Sequence, residues 1–281
     1  MDIKLLELYS DYIISSFGQI TATGLSRALS GSVSHDKITR FLAKNDLDSK
    51  QLWQLVKPVI RDEEQEDGVL IVDDTIEKKP HTTESELICW HHDHQSNRSV
   101  KGINIINYIY SVDESSLPVG FDVIRKPIKF CEVKTKKEKR FARIDSLSWS
   151  SQKPVRGWFK GLDFPVQLHR QVFTNKDGST GILYLACSDF NCDVTRLEAI
   201  YKKRWKVEVF HKTLKSNTGL AKSPTKCVRT QTNHIFMSIY ATFQLECLKL
   251  KHKMNHFALR SRIYIRALQH AMLELQSLKS A

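Results

Sequence analysis

The spacing of apolar residues changes twice along this chain of 281 residues, and the changes limit the folds it can adopt. Up to about residue 60, apolar residues recur at helical intervals, as in Leu5, Tyr9 and Ile13. Between residues 68 and 189 the chain carries short apolar or alternating runs, which are typical of β-strands. From Val194 onward the helical interval returns. The pattern predicts an α/β (α+β) protein in which helices precede and follow a β-rich middle segment of the chain.

The segment GLSRALSGSVSHDKITRFLAK (24–44) predicts two short helices joined by a turn. Ser34 is suited to cap the second helix, because its hydroxyl can accept a hydrogen bond from the first helical turn. Small helical domains of this shape often place the second helix in the major groove of DNA. We therefore expect residues 1–60 to form an N-terminal helical DNA-binding domain, although an ordinary helix bundle would show the same pattern. The side chains expected to point outward are His35, Lys37, Thr39, Arg40 and Lys44.

The charge of the chain favours a polyanionic partner. Lys and Arg total 43 against 31 Asp and Glu, which gives a net charge of +12. Nucleic acid is a better match than a membrane, because no apolar run approaches the ~20 residues of a spanning helix. The N-terminus lacks a secretion signal, and the six cysteines are scattered without a C-x-x-C pair. These features predict a reduced, cytoplasmic protein.

Paired carboxylates follow the first predicted strand. GVLIVDD (68–74) is a continuous apolar run, which predicts a buried strand that delivers Asp73 and Asp74 at its C-terminal end. GINIINYIYSV (102–112) and LPVGFDVI (117–124) predict a β-hairpin. Further extended segments are predicted at FARIDSL (141–147), VQLHRQVF (166–173) and GILYLACSD (181–189).

Four polar residues fall on one stripe of a predicted helix in YKKRWKVEVFHKTLK (201–215). With Tyr201 at zero, Arg204, Glu208 and Lys215 lie at about 300°, 340° and 320° around the helix. An adjacent apolar face carries Ile200, Val207, Phe210 and Leu214. A carboxylate among two cations and a phenol suits phosphate and a metal ion. A solvated Arg204–Glu208 ion pair, worth only about 0.2–0.5 kcal/mol, would have the same spacing.

Carboxylates on a strand and on a helix can jointly hold Mg²⁺ ions about 3.5–4 Å apart. Such ions activate an attacking oxygen and stabilise the leaving oxygen when a phosphodiester is cut or joined. Carboxylate oxygens suit this hard cation, which keeps several waters when bound. The pattern therefore predicts chemistry on nucleic acid.

The motifs resemble the DDE transposases of bacterial insertion sequences, and within them the insertion-sequence-four family, whose hallmark is Y-(2)-R-(3)-E-(6)-K. Tyr201, Arg204, Glu208 and Lys215 fill every position of that hallmark. Other segments that look like family blocks are VDDT (72–75), ICWHHDH (88–94), VKGINI (100–105), FTNKDGSTGILYL (173–185) and SPTKCVRTQTNHIFMSIYA (223–241).

The resemblance implies a ribonuclease-H-like mixed sheet in a core of residues 68–281, with a β-rich insertion at about 140–180 and C-terminal helices. It implies that Asp74 and Glu208 are catalytic and bind Mg²⁺ (or Mn²⁺), and that Tyr201, Arg204 and Lys215 grip DNA. Asp73 would replace Asp74 if the strand register shifted by one residue. The implied partner is double-stranded DNA, namely transposon terminal inverted repeats and target DNA, bound by a homodimer associated with the nucleoid in the bacterial cytoplasm.

The chain departs from this family where a middle catalytic Asp is expected. Asp189 lies too close to Glu208 to leave room for the insertion, so we interpret it as a structural or N-cap residue. Asp145 does not follow a suitable strand. We hypothesise that a core helix and strand are missing around residues 134–142, which leaves the sheet incomplete and strand transfer lost or very weak.

Other functions fit parts of the pattern. A non-catalytic DNA-binding remnant could occupy the element ends and interfere with an intact transposase. A generic metal nuclease would also use the two acids. Zinc is a weaker interpretation, because Cys89, His91, His92 and His94 on one extended segment cannot all turn inward.

Overall fold

The computed structural model describes residues 2–93, 96–124, 133–135, 141–149, 154–174, 178–225 and 227–280. The chain divides into two compact units. The main unit comprises Met1–Pro127 and Arg204–Ala281, and the small unit comprises Ile128–Lys203. No described helix is both long and apolar enough to cross a membrane.

The main unit begins with helices whose first turns are capped by polar side chains. Thr21 caps the helix that begins at Ala22, and the Ser34 hydroxyl accepts a hydrogen bond from the backbone N–H of Lys37 at 3.3 Å. The predicted helix, turn and helix are therefore confirmed, and the polar side chains expected on the second helix are exposed. The helices are α1 (Ile3–Ser15), α2 (Ala22–Ala28), α3 (His35–Lys44) and α4 (Ser49–Asp62).

The sheet of the main unit is built around one long strand. Its strands are β1 (Val69–Lys78), β2 (Cys89–Asp93), β3 (Arg98–Val112) and β4 (Ser115–Ile124). β3 lies at the centre, and β1, β2 and β4 all pair with it antiparallel. The β3–β4 pairing confirms the predicted hairpin. In the described residues β1 pairs only with β3, so it forms an edge of this sheet.

The first strand differs from its prediction in two ways. Asp73 and Asp74 lie in the middle of β1, because pairing with β3 continues to Lys78. The strand is also buried on only one face: Ile71 is 7% exposed, whereas Leu70 and Val72 are 63% and 51% exposed. Alternate residues of a strand face opposite sides, so an apolar run at a sheet edge is only half buried.

The C-terminal helices complete the main unit. They are α6 (Lys206–Ser216), α7 (Val228–His252) and α8 (His256–Ser280). α7 is buried along most of its length and shares one hydrophobic core with α1–α4, the sheet and α6. The N-terminal helices therefore pack on the same core as the sheet. Their role as a separate DNA-binding domain stays a prediction.

The small unit is a second antiparallel sheet followed by a helix. Its elements are β5 (Val133–Thr135), β6 (Val155–Phe159), β7 (Val166–Thr174), β8 (Thr180–Cys187) and α5 (Val194–Arg204), of which Arg204 already belongs to the main unit. The extended segments predicted at 166–173 and 181–189 are confirmed. The prediction for 141–147 is wrong. Ile144–Ser146 forms a 3₁₀ turn, which the Ser146 hydroxyl stabilises by donating to the Arg143 carbonyl.

Together the two units make an α+β, nuclease-like fold. The hypothesis of a missing helix and strand around 134–142 falls largely on residues 136–140, which lie outside the described residues.

Candidate active site

The predicted stripe lies on two helices. α5 ends at Arg204 and α6 begins at Lys206, with an exposed Trp205 between them. Val207, Phe210 and Leu214 are buried as predicted, but Ile200 is 41% exposed. Ile200 belongs to α5, which packs through Leu197 on an apolar cluster of the small unit, whereas α6 packs in the main core. The segment whose spacing predicted one helix therefore forms two helices, which pack on different apolar clusters.

α6 lies beside β1, and the two elements enclose a cleft of about 410 Å³ that we call the β1–α6 cleft. Asp73 and Asp74 enter it from β1, and Glu208 enters it from α6. The sequence prediction paired Asp74 with Glu208, and the structure brings both into this cleft. The other residues that line it are Thr75, Ile76, Lys78, His92, Asp93, Arg204, His211, Lys212 and Lys215.

Asp73 is half-buried and points toward Arg204. Its Oδ2 accepts a hydrogen bond from Nη1 of Arg204 at 3.0 Å, and its Oδ1 accepts one from the backbone N–H of Asp74 at 3.1 Å. Burial raises the pKa of Asp73, and the charges of Asp74 and Glu208 raise it further, whereas Arg204 lowers it. The three carboxylates therefore share one electrostatic field, which a cation in the cleft would relieve.

Asp74 is exposed and is held from the neighbouring strand. Nδ2 of Asn104 donates a hydrogen bond to Oδ2 of Asp74 at 2.8 Å. Asn104 pairs with Ile76 across the ladder, which makes it the diagonal neighbour of Asp74. The bond occupies one carboxylate oxygen and leaves Oδ1 for a water molecule or a cation. Because Asp73 and Asp74 both line the cleft, either could bind a metal.

Lys215 lies on the same side of α6 and reaches the edge of the sheet. Its Nζ donates a hydrogen bond to the backbone carbonyl of Ile76 at 3.1 Å. Loss of water around the side chain lowers the pKa of Lys215, and the nearby charges of Glu77 and Glu208 oppose that shift. The predicted cation therefore lies beside the predicted carboxylate.

His211 is a residue of the cleft that the sequence analysis missed. It is buried, and its Nε2 lies 3.2 Å from Nδ2 of Asn107. Burial lowers the pKa of His211 to about 4, with a further contribution from Lys215, so the ring is neutral at pH 7. The signal was present in the spacing. His211 lies at about 280° on the wheel that carries Glu208 and Lys215.

Tyr201 lies in α5 of the small unit. It is partly buried against the apolar cluster formed by Leu185, Cys192 and Leu197. Its contact with DNA stays a prediction.

The two other aspartates considered for catalysis have local structural partners. Oδ1 of Asp189 accepts a hydrogen bond from the backbone N–H of Asn191 at 2.9 Å, in the turn after β8. Asp193, rather than Asp189, lies directly before α5 and accepts from the N–H of Arg196 at 2.7 Å. Asp145 pairs with Arg143 through both carboxylate oxygens. None of these contacts leads to the β1–α6 cleft.

The donor set of the cleft fits Mg²⁺ better than zinc. Within the described residues, no three His, Cys, Asp or Glu side chains converge as a preformed metal cage. Mg²⁺ does not require one, since it binds through one or two carboxylates and keeps several waters or phosphate oxygens as ligands. Sγ of Cys89 lies 3.1 Å from Nε2 of His91, while His94 lies outside the described residues. None of the five described cysteines forms a disulfide.

Residues 4–140 match a family described as DDE superfamily endonuclease. The matched segment contains α1–α4 and β1–β4, with Asp73 and Asp74, and it ends before Glu208. The match supports a DDE transposase-like family and, in general terms, a transposase or nuclease type of function acting on DNA. No protein of curated function matches the chain.

Proposed function

We propose that this protein is a DNA transposase of the insertion-sequence-four type, which binds transposon ends as a homodimer in the bacterial nucleoid and cleaves phosphodiester bonds with Mg²⁺ or Mn²⁺. The observation that carries the proposal is that Asp74 on β1 and Glu208 on α6 line one cleft, together with the cations Arg204 and Lys215. The match of residues 4–140 to an endonuclease family supports it independently.

In this proposal Asp74 and Glu208 hold the divalent ion through carboxylate oxygens. The ion, when bound, supplies Lewis-acid activation of the attacking and leaving oxygens. Asn104 fixes the orientation of the Asp74 carboxylate through its 2.8 Å hydrogen bond. His211 stays neutral, so it adds no positive charge that would repel a cation.

The cations of the cleft bind the DNA backbone. Arg204 and Lys215 lie on the same side as the carboxylates, where charge-assisted hydrogen bonds can reach phosphate oxygens. Arg204 donates a hydrogen bond to Asp73, and this bond orients the guanidinium toward the cleft. Tyr201 is proposed as a further contact to transposon-end phosphates.

Strand transfer is expected to be absent or very weak. Besides Asp74 and Glu208, the described residues of the cleft include Asp73 and, from β2, Asp93. Asp73 is paired with Arg204, and Oδ2 of Asp93 lies 2.7 Å from Nζ of Lys78, so neighbouring cations partly neutralise both carboxylates. A smaller negative charge lowers the affinity for two metal ions. The alternative function, a non-catalytic protein that occupies transposon ends, is favoured by this same observation.

Cleavage tests the proposal directly. The full chain is incubated with Mg²⁺ and supercoiled DNA that carries the flanks of its own gene, and nicked and linear products are counted. Asp74→Asn and Glu208→Gln should each reduce cleavage by more than about 100-fold. That loss is larger than the one expected when a residue that only orients a metal ligand is removed. Asp113→Asn, a matched change in the β3–β4 turn, should leave cleavage unchanged.

Each result has a separate meaning. Binding of the flanks without cleavage by the wild-type chain would establish the non-catalytic alternative. Cleavage that persists in both site variants would place the chemistry elsewhere, and absence of both binding and cleavage would remove DNA as the substrate.

A further inference from the structure

Two cysteines of the small unit lie at the ends of one short loop. Cys187 is the last residue of β8, and Cys192 lies two residues before α5 begins. The loop between them folds back on itself, because the backbone N–H of Cys192 donates a hydrogen bond to the carbonyl of Asp189 at 3.3 Å. This turn brings the two cysteines toward each other.

The neighbouring strand β7 holds both ends of the loop. Gln167 pairs with Cys187 across the β7–β8 ladder, and its Nε2 donates a hydrogen bond to the carbonyl of Cys192 at 3.2 Å. Both cysteines pack with Leu185 and Leu197 in one apolar cluster. The thiol of Cys192 also interacts with that of Cys187 through a side-chain hydrogen bond. Cysteines must be neighbours of this kind before a disulfide can join them.

The two thiols differ in their access to solvent. Cys187 is partly exposed, whereas Cys192 is only 3% exposed. Burial raises the pKa of Cys192, and the hydrogen bond with Cys187 raises it further, while the charge of Arg196 opposes the rise. Because the thiolate is the form that attacks a disulfide, a reagent from solution reacts with Cys187 first. Cys192 is placed to react second.

We propose that Cys187 and Cys192 are a redox-sensitive pair, which a small-molecule disulfide of the glutathione type converts reversibly into an intramolecular disulfide. The Cys187 thiolate attacks one sulfur of the reagent, which forms a mixed disulfide and releases one reagent thiolate. The Cys192 thiolate then attacks the Cys187 sulfur and releases the second reagent thiolate. The two released thiolates take up the protons of the two cysteines, and the reagent gains the two electrons that the protein loses.

The new bond joins the end of β8 to the start of α5 within the small unit. Tyr201, on the same helix, packs against the cluster that contains Cys192, so the bond forms beside a residue proposed to contact DNA. The redox chemistry itself does not depend on the function proposed for the β1–α6 cleft.

Mass spectrometry of the full chain tests the proposal. The folded chain is equilibrated with mixtures of reduced and oxidised glutathione, its remaining thiols are alkylated, and it is digested with trypsin. Residues 177–196 form one tryptic peptide that contains both cysteines, so the disulfide appears as this peptide without alkyl groups and with two hydrogens fewer. The equilibrium constant for the disulfide should be at least about tenfold larger in the folded chain than in urea, because the fold holds the two thiols together.

Single substitutions test the order of the two steps. Cys192→Ser should accumulate a glutathione adduct on Cys187, whereas Cys187→Ser should leave the buried Cys192 without one. Cys227→Ser changes an exposed cysteine of the main unit and should leave the equilibrium constant unchanged. Circular dichroism checks that each variant keeps the wild-type helix content.

Three results would contradict the proposal. Equal equilibrium constants in the folded and the unfolded chain would mean that the fold does not create the pair. Alkylation of both cysteines at every glutathione ratio would mean that no disulfide forms. Equal adducts on the two single variants would overturn the order of attack, which rests on the burial of Cys192.

Discussion

Three histidines of the main unit are buried where a charged imidazole is costly. Burial lowers the pKa of His211, His234 and His256 to about 4 in each case, from an ordinary value of 6.5. His234 has the simplest surroundings: its ring contacts the hydroxyl of Tyr9 and the carbonyl of Gly219. Its neutral form is therefore part of the packed core.

These pKa values predict that the free energy of unfolding falls in mild acid. A histidine with a folded pKa of about 4 stabilises the fold fully above pH 6.5 and loses that contribution as the pH falls toward 4. The unfolded chain binds the proton first, at a cost of up to about 1.4 kcal/mol per pH unit for each histidine. Raised pKa values at Asp73, Glu77 and Glu246 act in the opposite direction.

His234→Gln isolates one of these contributions. Urea unfolding at several pH values between 6.5 and 4 should show that the variant loses about 1 kcal/mol less per pH unit than the wild-type chain. His35→Gln on exposed α3 is the matched control and should follow the wild-type curve. A variant with the wild-type slope would mean that His234 is protonated in the fold.

At the residue scale, the sequence predicted side chains that share one element better than those that meet across elements. Glu208 and Lys215 could be grouped because helical spacing places them on one face. Asn104 could not be linked to Asp74, because the diagonal contact depends on the β1–β3 register. That register is set by tertiary packing of the whole sheet rather than by the residues around Asp74.

At the element scale, the types of most helices and strands followed from the spacing, whereas their ends depended on pairing. β1 runs past its two aspartates because β3 provides partners as far as Gly102. The helix predicted over 201–215 is interrupted at Trp205, although each half has helical spacing. No local signal marks this break, since its two sides pack on different apolar clusters.

One buried amide connects α7 to the loop between α3 and α4. Nδ2 of Asn233 donates to the carbonyls of Leu42 and Asn45, both at 2.7 Å, and Oδ1 accepts from the N–H of Leu47 at 3.0 Å. Asn233 is only 1% exposed, so water cannot replace these bonds at the surface. The N-terminal helices are thus held to the C-terminal core by a fully used side chain.

Asn233→Ala should lower the free energy of unfolding by about 3 kcal/mol, because it leaves buried backbone groups without partners. Thr232→Ala on the same helix removes one bond to Val228 within that helix and should cost less than about 1 kcal/mol. Denaturant unfolding of both variants measures the difference. Equal losses would show that the α3–α4 loop is not held by this amide.

At the scale of the whole molecule, the excess of positive charge should be read as a binding property rather than a folding one. With a net charge of +12, the positive side chains repel one another in the compact state. Binding of a polyanion relieves this repulsion. Two separate basic surfaces can supply contacts in the main unit: α3, with Arg40 and Lys44, and the β1–α6 cleft, with Arg204 and Lys215. Composition alone predicted a basic surface that binds a polyanionic partner, but it could not place that surface on particular elements.

Salt dependence tests whether α3 is one of those surfaces. Each phosphate contact that is lost should reduce the slope of log K against log salt by about 0.9, because fewer counterions are released. Lys44→Ala on α3 should show this reduction for duplex DNA, measured by fluorescence anisotropy between low and physiological salt. Lys57→Ala removes another exposed cation, from α4, and should keep the wild-type slope. If Lys44→Ala also kept it, α3 would be excluded as a DNA contact, and a flat response of the wild-type chain would exclude nucleic acid as the partner.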